Sequence, residues 1–117
     1  MAQVVVVDDD EAVRALLRLT LELDGHRVVA EAADGHAALE ATRKLQPDVM
    51  VLDMMMPGAN GEDVLRGLPV RGADSRPCVV AYSASTSHLE LADKLGADAI
   101  VLKSGDMTAL LAAVAGC

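Results

Sequence analysis

What most constrains this chain is an alternation that starts at residue 4. Val4-Val5-Val6-Val7 is a continuous β-branched run, the pattern of a strand buried on both faces and typical of parallel sheets. Three acids follow, Asp8, Asp9 and Asp10. Val13, Leu16, Leu17, Thr20 and Leu21 then recur at helical spacing, and Gly25 supplies a stop. The unit repeats. Arg27–Glu31 reads as a short strand, and Asp34-Gly35 precedes a helical stretch over His36–Leu45 that Gln46-Pro47 ends. Val49–Asp53 is a further buried strand. Pro57–Gly61 is a loop, with Asn60 as the N-cap of a helix over Glu62–Leu68. A polar linker, Pro69–Pro77, leads to a strand over Cys78–Tyr82. Ser87–Leu95 is a helix closed by Gly96, Ala99–Leu102 is the last strand, and Asp106 caps a final helix over Met107–Ala115.

Strands that alternate with helices imply right-handed crossovers and a parallel sheet covered on both sides. The expected fold is therefore α/β, a three-layer sandwich of five parallel strands and five helices, in one domain over residues 1–117. A chain of 117 residues can bury about two-thirds of its unfolded surface and needs no staple to fold. Apolar residues make up 52% and aromatics 1%, so Val, Leu, Ala and Met must build the core. Tyr82 is the only aromatic residue, which removes the stacking faces that a flavin or a base platform needs. A net charge of −8 disfavours direct nucleic-acid binding by this chain. Cys78 and Cys117 are expected to be unpaired thiols in a reducing cytoplasm. Neither a signal peptide nor an apolar run long enough for a membrane span is visible, so a cytoplasmic location is expected.

Polar residues gather where the strands end. Asp8 and Asp9 follow the first strand, Asp53 ends the third, Ser83 follows the fourth and Lys103 follows the fifth. Ligands of open parallel sheets bind outside those carboxyl ends. If the first and third strands are neighbours, three carboxylates converge there and repel one another by about 1–4 kcal/mol per pair. A hard divalent cation relieves that repulsion. Asp8, Asp9, Asp53 and a backbone carbonyl just after Asp53 would be its protein ligands. Lys103 and Ser83, opposite the cation, would hold the oxygens of a phosphoryl group. Asp53, alone at its strand end, is the best-placed nucleophile. Each part has an ordinary reading when taken singly, as a solvated acidic loop, a helix cap or a strand-end hydroxyl. The joint arrangement favours chemistry.

These segments resemble the receiver domain of two-component response regulators over essentially the whole chain. The matching stretches are VVVVDDDEAVRALL (Val4–Leu17), EAADGHAALE (Glu31–Glu40), PDVMVLDMMMPGANG (Pro47–Gly61), VVAYSAS (Val79–Ser85) and GADAIVLKS (Gly96–Ser104). The resemblance implies a flavodoxin-like sheet in strand order 2-1-3-4-5. It also implies that Asp53 is the phosphoacceptor and that Asp8 and Asp9 hold Mg²⁺, with Mn²⁺ as an alternative. The Met55 carbonyl would complete the protein ligands, Ser83 would be the switch hydroxyl, and Lys103 would contact the phosphoryl group. The implied phosphate source is a histidine kinase or phosphotransfer protein. The implied output face is formed by the fourth helix, fifth strand and fifth helix.

Departures accompany the resemblance. The position three residues before the Lys, usually aromatic, is Ile100. Tyr82 neighbours Ser83 and so points to the opposite face of the sheet, which argues against it as a replacement switch. Ser104 stands where many members have a cis-Pro, so a trans bond is expected. Met54-Met55-Met56 reads as core filler, with Met55 at the mouth of the site. The final helix, with Met107, Leu110, Leu111 and Val114, is apolar nearly all round, which predicts dimerisation or docking of an output domain or partner. Two other functions fit parts of the pattern. A haloacid-dehalogenase-type phosphatase would use Asp8 as nucleophile and Asp10 as acid/base, leaving Asp53 without a task. A receiver-shaped interaction module would need no phosphorylation.

Overall fold

The β-branched runs become strands because both of their faces are covered. A computed structural model describes residues 1–56, 60–104 and 107–117. The elements are β1 (Gln3–Val7), α1 (Glu11–Leu23), β2 (Arg27–Ala32), α2 (Gly35–Leu45), β3 (Val49–Asp53), α3 (Gly61–Gly67), β4 (Cys78–Ser83), α4 (Thr86–Lys94), β5 (Ala99–Leu102) and α5 (Thr108–Ala115). The strands form one parallel sheet in the order β2-β1-β3-β4-β5. Alternation divides each strand between two cores. Val5, Val7, Met50 and Leu52 face one core with Val64, Leu65 and Ala92 of α3 and α4. Val4, Val6, Val49 and Val51 face the other with Leu17 and Leu21 of α1 and Leu110 and Val114 of α5. Each fully buried Val, Leu or Met contributes about 1.5–3 kcal/mol to folding.

Register brings the strand ends level. Val7 of β1 lies opposite Leu52 of β3, Asp53 lies opposite Tyr82 of β4, and Ser83 lies opposite Leu102 of β5. The helix starts follow from their caps. Asp10 accepts from the Ala12 N–H at 2.9 Å and Asp34 from the Ala37 N–H at 2.9 Å. Asn60 and Asp63 form a reciprocal capping box that starts α3 at Gly61. Gly61 is required by close approach, because a Cβ there would lie 2.7 Å from the Met54 Cα. This contact seats α3 against the segment that follows Asp53. The expected cap at Asp106, and Pro57, Gly58 and Ala59 of the expected loop, lie outside the described residues.

One expectation is overturned, and the ground for another shifts. The sequence predicts free thiols, but the structure joins Cys78 and Cys117 as a disulfide. Their Cα atoms are 5.8 Å apart because the chain past α5 returns to the start of β4. The bond closes a sequence separation of 39 residues, so nothing local announces it. The uniform apolarity of α5 also has another explanation. Leu110 and Val114 are buried, Leu111 is partly buried, and Ala109, Ala112 and Ala115 face outward. Most of its large apolar side chains therefore belong to the core. The exposed large apolar side chains of this region are Ile100 and Leu102 on the edge strand β5. The Lys103–Ser104 peptide is trans, as expected. Among the described residues no helix is long and apolar enough to cross a membrane.

Candidate functional site

The winding of the sheet reverses between β1 and β3, and the polar strand ends meet at that point. Asp8 leaves β1 fully buried, its N–H bonded to the Ala32 carbonyl of β2 at 3.0 Å. Its Oδ1 accepts from the Asp10 N–H at 2.8 Å, and its carbonyl accepts from the Arg14 guanidinium at 2.6 Å. Asp53 ends β3, also buried, and its Oδ1 accepts from the Met55 N–H at 3.0 Å. Asp9 is exposed at the rim. Carboxylate oxygens of Asp8, Asp9 and Asp53 all lie within 4.8 Å of one another. Lys103 Nζ stands 3.4 Å from Asp8 Oδ2 and 3.4 Å from Asp53 Oδ1. One ammonium cannot offset three carboxylates, so the cluster favours a further cation. An all-oxygen donor set of this spread fits a hard ion such as Mg²⁺, which binds oxygens at about 2.1 Å, after a small contraction.

The electrostatics of Asp53 follow from its place at the buried strand end. Burial pushes the Asp53 carboxyl above its ordinary range; the Met55 N–H and Lys103 pull it back, and Asp8 adds to the rise. Ser83, fully buried at the end of β4, accepts from the Ser85 N–H at 3.1 Å. Its carbonyl accepts from the Lys103 N–H at 2.9 Å, which fixes the start of the Lys103 side chain beside it. Met54 and Met56 are buried, as core filler should be. Met55 is 50% exposed and borders an opening with Asp9, Asn60 and His88.

Tyr82 is the site residue that strand alternation missed. Its Cβ does point away from the Ser83 side, into the core beneath α1 and α5. The ring is long enough to turn the hydroxyl back to the strand ends, where it donates to Asp8 Oδ2. Lys103 Nζ lies 4.5 Å from the ring centroid, within cation–π range. Burial, and then the Asp8 carboxylate, push the phenol well above its ordinary range and keep it a proton donor. A signal was present in the sequence: the only aromatic residue of the chain directly precedes Ser83.

Comparison with known proteins agrees with this architecture. The family model described as the response regulator receiver domain matches residues 4–115. The nitrate/nitrite response regulator protein NarP of Escherichia coli is 38% identical over 113 residues, which is 96% of this chain and 53% of that protein. The DNA-binding response regulator MtrA of Mycolicibacterium smegmatis is 40% identical over 103 residues, 86% of this chain and 43% of its own length. The chain thus spans about half the length of the curated relatives it matches. Among solved structures, the signal receiver domain of the putative response regulator NarL from Mycobacterium tuberculosis superposes with a TM-score of 0.87 at 36% identity. That alignment covers 99% of this chain and 94% of the other. A two-component response regulator of the LuxR family from Aurantimonas sp. SI85-9A1 gives a TM-score of 0.87 at 31% identity, over 99% of this chain and 84% of that one. Sheet order, strand-end acids and matched sequence together lead to one assignment: the chain belongs to the response regulator receiver domain family.

Proposed function

We propose that this chain accepts a phosphoryl group on Asp53 from the phosphohistidine of a histidine kinase or phosphotransfer protein, in a Mg²⁺-dependent step. The convergence of Asp8, Asp9 and Asp53 with Lys103 carries this reading. Both protein contacts of the Asp53 carboxylate fall on Oδ1, and among the described residues Oδ2 has no hydrogen-bond partner. Oδ2 is therefore the attacking atom: an O–P bond forms, the P–N bond breaks, and its electron pair leaves with the imidazole. Burial raises the basicity of that oxygen. Asp8, Asp9, Asp53 and the Met55 backbone carbonyl would hold Mg²⁺, or Mn²⁺ in its place. A cation there supplies charge neutralisation for the phosphoryl oxygens. Lys103 contributes a second positive charge. Ser83 Oγ accepts from Ser85 and so keeps its own proton to donate to a phosphoryl oxygen.

The phosphorylated site then acts on the face of α4, β5 and α5, where Ile100 and Leu102 are exposed to an output domain, a partner or a second copy of the chain. The chemistry is limited to accepting the group and losing it slowly to water. With a net charge of −8, this chain itself is not the DNA-contacting surface. The test is incubation with acetyl phosphate and MgCl₂, read by intact mass. Wild type gains one phosphoryl group, whereas Asp53→Asn and EDTA-treated protein gain none. Equal labelling of Asp53→Asn would overturn the reading.

A further inference from the structure

A carboxylate offers about four lone-pair positions. On Asp8 the Asp10 N–H takes one on Oδ1 at 2.8 Å. The Tyr82 hydroxyl and the Lys103 ammonium, the latter at 3.4 Å, take two on Oδ2. One position remains, and its direction is set by those three partners. Of the three, the amide is fixed by the backbone and the ammonium ends a flexible, partly exposed stem. Tyr82 is different: its ring is 4% exposed and packed in the core beneath α1 and α5. The hydroxyl is thus a rigid arm anchored far from the rim.

We propose that Tyr82 is a positioning residue for the cation site, holding the Asp8 carboxylate so that its remaining lone pair faces Asp9 and Asp53. The inference rests on the reading of Asp8 as a cation ligand and adds a residue of the opposite core to that site. Partners that orient a metal ligand in this way are worth about 10–100-fold in metal affinity when removed. The geometry also makes Tyr82 a contact between the cation site and the α1–α5 side of the sheet, beside the Arg14 guanidinium of α1 on the Asp8 carbonyl. The same ring lines a cavity of about 160 Å³ there, with Val13, Leu16, Met107 and Leu110.

The experiment is calorimetric titration of the full chain with MgCl₂, for wild type and Tyr82→Phe, beside tyrosine emission of the wild type. Phe keeps the ring and its packing and removes only the hydroxyl. The expected result is wild-type binding, at least about tenfold weaker binding in Tyr82→Phe, and a wild-type emission change with the calorimetric midpoint. Tyr82 is the only aromatic residue, so the emission has a single source. Equal or tighter binding by Tyr82→Phe overturns the inference and leaves the proposed function intact, because a packing role alone predicts no change. If wild type binds no Mg²⁺, both fail. Should Tyr82→Phe not fold, the wild-type emission decides: a shift tracking Mg²⁺ supports the inference, and a flat titration overturns it.

Discussion

The ammonium of Lys103 stands 3.4 Å from Oδ1 of Asp53, and it is held equally close to Oδ2 of Asp8. It therefore competes for the same oxygens that a divalent cation would use. Charges about 5 Å apart at an effective dielectric of about 20 interact by about 3 kcal/mol per unit pair. Lys103→Met is expected to bind Mg²⁺ at least about tenfold more tightly by calorimetry. The same variant should accept phosphate from acetyl phosphate about a hundredfold more slowly, because a fixed positive charge for the transferring group is lost. Weaker Mg²⁺ binding would show that Lys103 builds the acid cluster and does not oppose the cation.

The buried Asp53 carboxyl makes stability depend on pH with a definite sign. Its folded-state value is raised by burial above the ordinary value of 3.8 that holds in the unfolded chain. The folded chain binds that proton more tightly, so ionised Asp53 costs stability. The cost is absent below the ordinary value, grows as pH rises towards the raised folded value, and is constant above it. In EDTA, Asp53→Asn should therefore unfold at a higher urea concentration than wild type at neutral pH. The gap should close as pH falls below the ordinary carboxylate value. A gap that widens on acidification would contradict the burial account.

Cys78 and Cys117 tie the end of α5 to the start of β4. Closing a loop with a separation of 39 residues restricts the unfolded chain. That restriction is worth about 2–4 kcal/mol. Thermal melts with and without reductant should differ, with the reduced protein and Cys117→Ser melting alike and about 10 °C lower. Two titratable thiols in the unreduced, denatured protein would show that the pair is open.

Met55 is half exposed at the rim, while Met54 and Met56 are buried beside it. An apolar side chain there would offer water no hydrogen bond on its way to a phosphoryl group on Asp53. Met55→Asn should shorten the phosphoryl lifetime, measured by mass after removal of excess acetyl phosphate. An unchanged lifetime would reduce Met55 to packing.

The sheet and its polar edge were legible because local pattern decides them. Val4–Val7 and Val49–Leu52 are apolar at every position, which only a two-sided core explains, and Asp8 and Asp53 follow them directly. Caps at Asp10, Asp34 and Asn60 set helix starts to within a residue. Features that depend on distance through space were not legible. The Cys78–Cys117 pair needs the return of the chain past α5. Tyr82 obeys strand alternation at its Cβ and escapes it at its hydroxyl, because a phenol spans more than the pleat. The apolar residues of α5 suit a core or a partner equally in sequence, and it is the fold that packs Leu110 and Val114 with Val101 and Tyr82 in one buried cluster.

The central claim is that the acceptor is Asp53 and not another acid of the cluster. Phosphorylated protein, treated with borohydride to reduce the acyl phosphate and then digested, locates the modified residue by peptide sequencing. The account predicts reduction at Asp53 alone, dependent on Mg²⁺ and on prior phosphorylation. Reduction at Asp8, as a phosphatase nucleophile would give, or at no aspartate, would contradict it.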